Sequence, residues 1–284
     1  MANTQYQSII RLLQHSGIDI DSSINKLRVK KQLSAEFDFS ASGFLEVDGY
    51  SYTKNEIFEE LDHPDFETRF DYHRRLWDNK TILCFLEDNA FNYLDFNDEL
   101  KHFNNDTTFD HFFSPYFSIS FNYGLRSFLN DHCFEDVSRL LLFEDFLMAD
   151  DREEALRPLR IYLDENLRIF RNINTENYKS FRSQIEHWTY PSWAAMLNNL
   201  PAELYDNKRE IAFYLVNITV AIQNSHKKDC KKISQELTCI ADLPEDLTST
   251  IMSNHKVYKG STSTTNWGLM VWVAIILLRV MSGC

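Results

Sequence analysis

The chain has 284 residues, 44% of them hydrophobic, which is enough to bury a core in one or two domains. Its formal net charge is −13, and residues 1–253 hold 26 basic and 42 acidic groups, so the body repels phosphate and no nucleic-acid partner is expected. Only 7 Gly and 6 Pro stand against 22 Phe, which favours long helices over many hairpins.

Residues 3–16 read as a helix, with Tyr6, Ile9, Ile10 and Leu13 on one face and Gly17 as its stop. A second helix is expected over 22–33. It carries the one strong basic cluster, Lys26, Arg28, Lys30 and Lys31, which is either a solvated face or a docking site for an acidic partner or lipid head group. "FLEVDGYSY" at 44–52 predicts a hairpin, since Asp48–Gly49 can supply the positive φ angles of a type I′ turn. Thr53 with Glu56 forms a capping box and opens a helix with Ile57, Phe58 and Leu61 inward. Pro64 breaks the chain, Asp65 can cap the next helix, and Phe66, Phe70 and Trp77 make its stripe. "TILCFLED" is a short buried segment whose length leaves helix and strand open.

Helix follows helix in the second half. Pro115 is expected to open one that runs to Leu129, and Val137, Leu140 and Leu141 lie on another over 133–148. Leu156, Leu159, Leu163, Leu167 and Phe170 stripe a third over 151–171, where Pro158 sits near the start or bends it. Thr175 can cap a fourth, and Pro191 marks the next first turn. Ile211, Leu215, Ile218 and Ile222 lie on a helix that is apolar nearly all round, the expected centre of the C-terminal half. The fold class is therefore mainly α, a helical bundle or irregular α-solenoid-like domain with one small hairpin; no motif recurs at the fixed spacing a repeat family requires.

The domain reading is a cytosolic helical domain over 1–252, with a candidate subdivision near 105. A polar Ser/Thr-rich linker follows over 253–265, then a C-terminal membrane anchor over 266–283. The anchor comprises Trp267, Gly268, Leu269, Met270, Val271, Trp272, Val273, Ala274, Ile275, Ile276, Leu277, Leu278 and Arg279. The apolar run is short for a span of ~20 residues. A helix from Asn266 to Gly283 would nevertheless have 18 residues and reach about 27 Å. Trp267 suits the interface, Arg279 can snorkel to the head groups, and no polar face exists for the helix to lie flat. Lys256 and Lys259 precede the run, which places the body on the cytoplasmic side of a single-pass membrane protein.

The five cysteines, Cys84, Cys133, Cys230, Cys239 and Cys284, are odd in number and irregular in spacing, so free thiols are expected rather than a disulfide framework. No Gly-rich phosphate loop, G-x-S-x-G or H-E-x-x-H motif occurs, and no cofactor is expected. Two His/Asp clusters could hold a divalent metal: His63 and His73 with Asp62, Asp65, Glu67 and Asp71, and His102 and His111 with Asp106 and Asp110. The simpler reading of both is a capped, solvated helix start or loop. His226, Cys230 and Cys239 are too few and too loosely spaced for structural zinc. The expected function is non-enzymatic: a tail-anchored adaptor or scaffold whose helical domain binds a protein partner. The alternatives are a metal-dependent hydrolase built on 62–73 or 102–111, and a membrane-acting effector with a sensing helical domain.

Overall fold

The computed structural model describes residues 5–20, 24–40, 42–92 and 106–260. It is mainly helical, with a single two-stranded hairpin among the described residues. The chain divides into two compact units, Met1–Gly124 with Asp145–Ala155, and Leu125–Glu144 with Leu156–Cys284. The candidate subdivision near 105 and the anchor 266–283 lie outside the described residues.

In the first unit, α1 (Ile9–His15) and α2 (Lys26–Phe39) precede β1 (Phe44–Val47) and β2 (Tyr50–Thr53). The strands pair antiparallel with Val47 opposite Tyr50, and Asp48 and Gly49 take φ of +52° and +87°. Both turn positions need positive φ, which is why Asp-Gly closes this hairpin. Thr53 accepts from the Glu56 amide while Glu56 reaches back, and this capping box starts α3 (Lys54–Asp62). Next come α4 (Phe66–Asp78) and α5 (Lys80–Asp88), so "TILCFLED" is helical. Ile10, Leu13, Leu33, Tyr52, Leu61 and Phe66 meet in the core of this unit.

Helix α6 (Thr107–Asn130) begins eight residues before Pro115, which lies inside it rather than at its first turn. Asp106 caps the start by accepting from the Phe109 amide at 3.1 Å. The buried stripe Phe109, Phe113, Phe117 and Phe121 carries the helix through the proline, with the first three rings stacked at 5.1 and 5.0 Å. Its end is a Schellman turn: the Cys133 amide donates to Phe128 O at 2.8 Å and His132 takes φ +55°.

The expected helix over 133–148 is shorter. Helix α7 (Phe134–Leu141) stops, and a 3-10 turn occupies Glu144–Phe146. In α8 (Ala149–Asn172), Pro158 is interior and cannot donate to Glu154 O; Asn122 Nδ2 donates to that carbonyl instead. Thr175 does not cap α9 (Tyr178–Ile185); Asn174 and Asn177 bond each other's loop amides ahead of it. Pro191 falls before α10 (Trp193–Asn198), not within its first turn.

In the second unit α7 packs on α10, and α11 (Tyr205–Ile222), α12 (Lys227–Leu237) and α13 (Glu245–Gly260) pack in succession. Ile211, Leu215, Ile218 and Ile222 are buried, as their stripe on α11 requires. The linker reading needs correction: residues 253–260 form the second half of α13. The polar sequence still presents Ile251 and Tyr258 to the core, and Tyr258 Oη bonds Thr219 Oγ1 at 3.4 Å. Two buried side chains seven residues apart, two turns of helix, are enough to dock it.

Candidate functional site

The predicted metal clusters are dispersed into local structural roles. His63 ends α3, and its Nδ1 accepts from the Asp65 amide at 3.1 Å. Asp62 pairs with Lys30, and Asp71 lies 3.7 Å from Arg74. His73 is buried, its Nδ1 bonded to Tyr6 Oη at 2.8 Å. In the second cluster Asp106 is the α6 cap and pairs with Arg75 at 3.1 Å, while His102 lies outside the described residues. Cys230 is buried and donates to Thr219 O at 3.3 Å; its thiol is pushed up to about 12, first by burial and then by Asp229. Cys239 is exposed, and the His226 ring packs against Tyr178 instead. Among the described residues no three His, Cys, Asp or Glu are placed to hold a metal.

In the first unit Glu87 and Glu60 are each paired with an arginine. Glu87 receives Arg11 through two bonds, 2.7 and 2.6 Å, and the Ser8 amide at 2.8 Å. The same guanidinium lies 3.9 Å from the Tyr50 ring centroid and bonds Tyr52 Oη at 3.3 Å. This one pair therefore ties α1, the hairpin and α5 together. Glu60 is gripped by Arg69 at 2.7 and 2.6 Å and approached by His73 Nε2 at 3.2 Å. Burial pushes the Glu60 carboxyl up, but His73 and Arg69 outweigh it and hold the group at about 2.

In the second unit a buried polar cluster surrounds Asn166. Its Nδ2 donates to Tyr162 O at 2.8 Å, which leaves Oδ1 as the acceptor for Trp188 Nε1 at 2.8 Å. His187 Nε2 lies 3.2 Å from that oxygen and so carries the proton. The His187 ring stacks on His132, centroids 4.1 Å apart and nearly parallel. Burial, then the neighbouring His132, lowers His187 to about 3, and burial lowers His132 as well. His132 Nδ1 and Tyr162 Oη are buried without partners. A cleft of about 340 Å³ opens beside Tyr162, between the last turns of α6 and the middle of α8. Arg126, Asn130, Arg157 and Glu165 supply its polar wall, and Leu129, Pro158 and Ile161 its apolar one.

The chain matches no protein-family model, no curated protein and no solved structure. In the Asn166 cluster the His187 and Trp188 rings share one amide oxygen, an arrangement that fixes their packing. The cleft sets charges of both signs opposite an apolar wall. Nothing local in the sequence announces the Asn166 cluster or the Glu87–Arg11 pair, because Asn166 meets Trp188, and Glu87 meets Arg11, only through tertiary packing.

The predicted anchor residues, Trp267–Arg279, lie outside the described residues. Within them no helix is long and apolar enough to cross a membrane. The basic cluster of α2 is split by the fold. Lys26 sits over the Phe66 ring and Lys30 pairs with Asp62, whereas Arg28 and Lys31 face solvent. Leu27 and Phe39 on the same helix are 82% and 91% exposed, the two most exposed large hydrophobic side chains of the described chain.

Proposed function

We propose that the chain is a tail-anchored adaptor, a helical body held at a membrane by residues 266–283 that binds a protein partner through its surface. The observation that carries the reading is the sequence Trp267–Leu278, an apolar run with no polar face, followed by Arg279 and preceded by Lys256 and Lys259. The end of α13 adds a support. Only Ser-Thr-Ser-Thr-Thr-Asn lies between Gly260 and Trp267, a tether of at most about 20 Å. The cleft beside Tyr162 gives such a body a recess for a partner.

Membrane fractionation with an alkaline carbonate wash tests the anchor. The control is a chain ending at Gly260, since an earlier cut would remove Tyr258 from its place on Thr219. Full-length protein that stays in the washed pellet, beside a soluble and folded control, supports the reading. Full-length protein released by the wash sinks it.

A further inference from the structure

We infer that the outer face of α2 seats on an anionic membrane surface, with Leu27 and Phe39 as apolar ends and Arg28 and Lys31 as the cations between them. The inference rests on the anchored reading, which supplies the membrane and the proximity.

Helix geometry places these side chains together. At 100° per residue Leu27, Lys31, Ala35, Arg28 and Phe39 fall within an arc of about 120°. Val29, Leu33 and Phe37 occupy the opposite side and are buried. Leu27 and Phe39 stand about 18 Å apart along the axis, so the apolar groups bracket the charges. The one acid on the arc, Asp38, is neutralised by Lys54 at 2.8 Å. Lys26 and Lys30 are held by Phe66 and Asp62, and Arg28 and Lys31 have no ion-pair partner in the described structure. The face is thus a net cation on a chain of net charge −13.

Three arguments choose a bilayer over a protein as the occupant. The first is charge: a positive strip on an acidic body fits an anionic head-group layer, to which each cation adds about fivefold in binding. The second is size. Five side chains form the face, far fewer than the ~20–30 residues that each partner brings to a standard protein interface. The third is the tether. A reach of at most about 20 Å keeps the body at high effective concentration near the membrane, so a contact too weak to act alone is populated. A single convex helix face with protruding Leu and Phe needs no matching groove in a soft apolar layer.

The test uses the full chain reconstituted with vesicles of phosphatidylcholine alone, and of phosphatidylcholine with phosphatidylserine. A water-soluble amine-acylating reagent is applied and the rate at Lys31 is read by mass spectrometry, with exposed Lys228 as the internal reference. The expected result is that phosphatidylserine slows Lys31 at least about fivefold, leaves Lys228 unchanged, and loses this effect in high salt. Leu27→Ser with Phe39→Ser should abolish the protection while the chain stays carbonate-resistant. Both positions are solvent-exposed, so folding is unaffected; unchanged unfolding of the double variant checks this.

A chain that resists carbonate in both vesicle types but shows equal Lys31 rates overturns the inference, leaves the anchor standing, and turns attention to a protein on this face. A chain that fails to insert yet still shows phosphatidylserine-dependent protection of Lys31 upholds the face and removes the anchor. A chain that shows neither removes both.

Discussion

Replacing Glu87 with Leu is expected to be among the most damaging single changes in the first unit. The carboxylate is 2% exposed and the Arg11 side chain 10%. Removing the anion leaves a buried guanidinium with only the exposed Asp48, 4.0 Å from its Nε, as counterion, at a cost of about 3 kcal/mol. The Ser8 amide also loses its acceptor, which adds about 1 kcal/mol. The sum approaches the lower end of the ~5–15 kcal/mol total stability of a typical domain. Arg11→Met should cost a similar amount by stranding the anion. The double variant Arg11→Met with Glu87→Leu removes both charges and should recover most of the loss, leaving roughly 1–2 kcal/mol for the unmatched backbone. Urea unfolding of the four members of this cycle measures the coupling, and hydrogen exchange in α1 and α5 localises it. A Glu87→Leu cost below about 1 kcal/mol, or a double variant whose loss equals the sum of the singles, would refute the reasoning.

Two pH effects and one backbone effect follow from the same geometry. His187 is held near 3 against an ordinary 6.5, so its contribution is full above pH 6.5. As pH falls the unfolded chain takes the proton first, and stability drops by roughly 1.4 kcal/mol per pH unit. His187→Gln should flatten the urea midpoint between pH 6.5 and about pH 5; an unchanged slope would show that the imidazole is solvated. Glu60 is depressed from 4.5 to about 2, so its contribution, roughly 3 kcal/mol, is present above 4.5 and lost as pH falls toward 2. Glu60→Gln should therefore shrink the acid limb of the stability profile measured by circular dichroism. Asn122→Ala should cost about 1 kcal/mol by exposing the Glu154 carbonyl that Pro158 leaves without a donor, and about nothing when Pro158→Ala restores the amide; equal costs in both backgrounds would contradict this role.

The helical class and the hairpin were legible because they depend on local chemistry. The Thr53–Glu56 box, the Asp48–Gly49 turn and the i, i+4, i+7, i+11 stripe of α11 each need only neighbours in sequence. Misplaced boundaries share a cause. Proline at 115 reads as a helix start when only its missing amide is considered, whereas Pro158 is expected inside a helix over 151–171 and lies inside α8. Yet four phenylalanines at i, i+4, i+8 and i+12 stabilise α6 more than one lost bond weakens it, and Asn122 repairs α8. Residues 253–260 looked like linker because their composition is polar, although Ile251 and Tyr258 suffice to dock the helix. The partners of buried charges were not legible at all. Glu87 lies in an apolar octapeptide that gives no hint of Arg11, and Asn166 in a polar stretch gives none of Trp188.

These buried networks also bear on where function can reside. Glu60 and Glu87 are each committed to an arginine, and the Asn166 amide is committed to a carbonyl and an indole. Polar groups so committed specify the fold and are not available for a ligand. The groups still available are on the surface, and there the charge is uneven. An acidic body near an anionic membrane is pushed away over most of its surface. Only a face whose cations outnumber its acids can approach, and α2 provides one because Lys54 cancels Asp38 while Arg28 and Lys31 have no ion-pair partner among the described residues. On the proposed membrane, repulsion elsewhere and attraction at α2 would act together to set one orientation of the first unit. Raising the salt weakens both forces at once, since each acts across about one Debye length. Orientation should therefore be lost more steeply with ionic strength than attraction by two cations alone would give. A gradual loss would mean that the acidic surface plays no part.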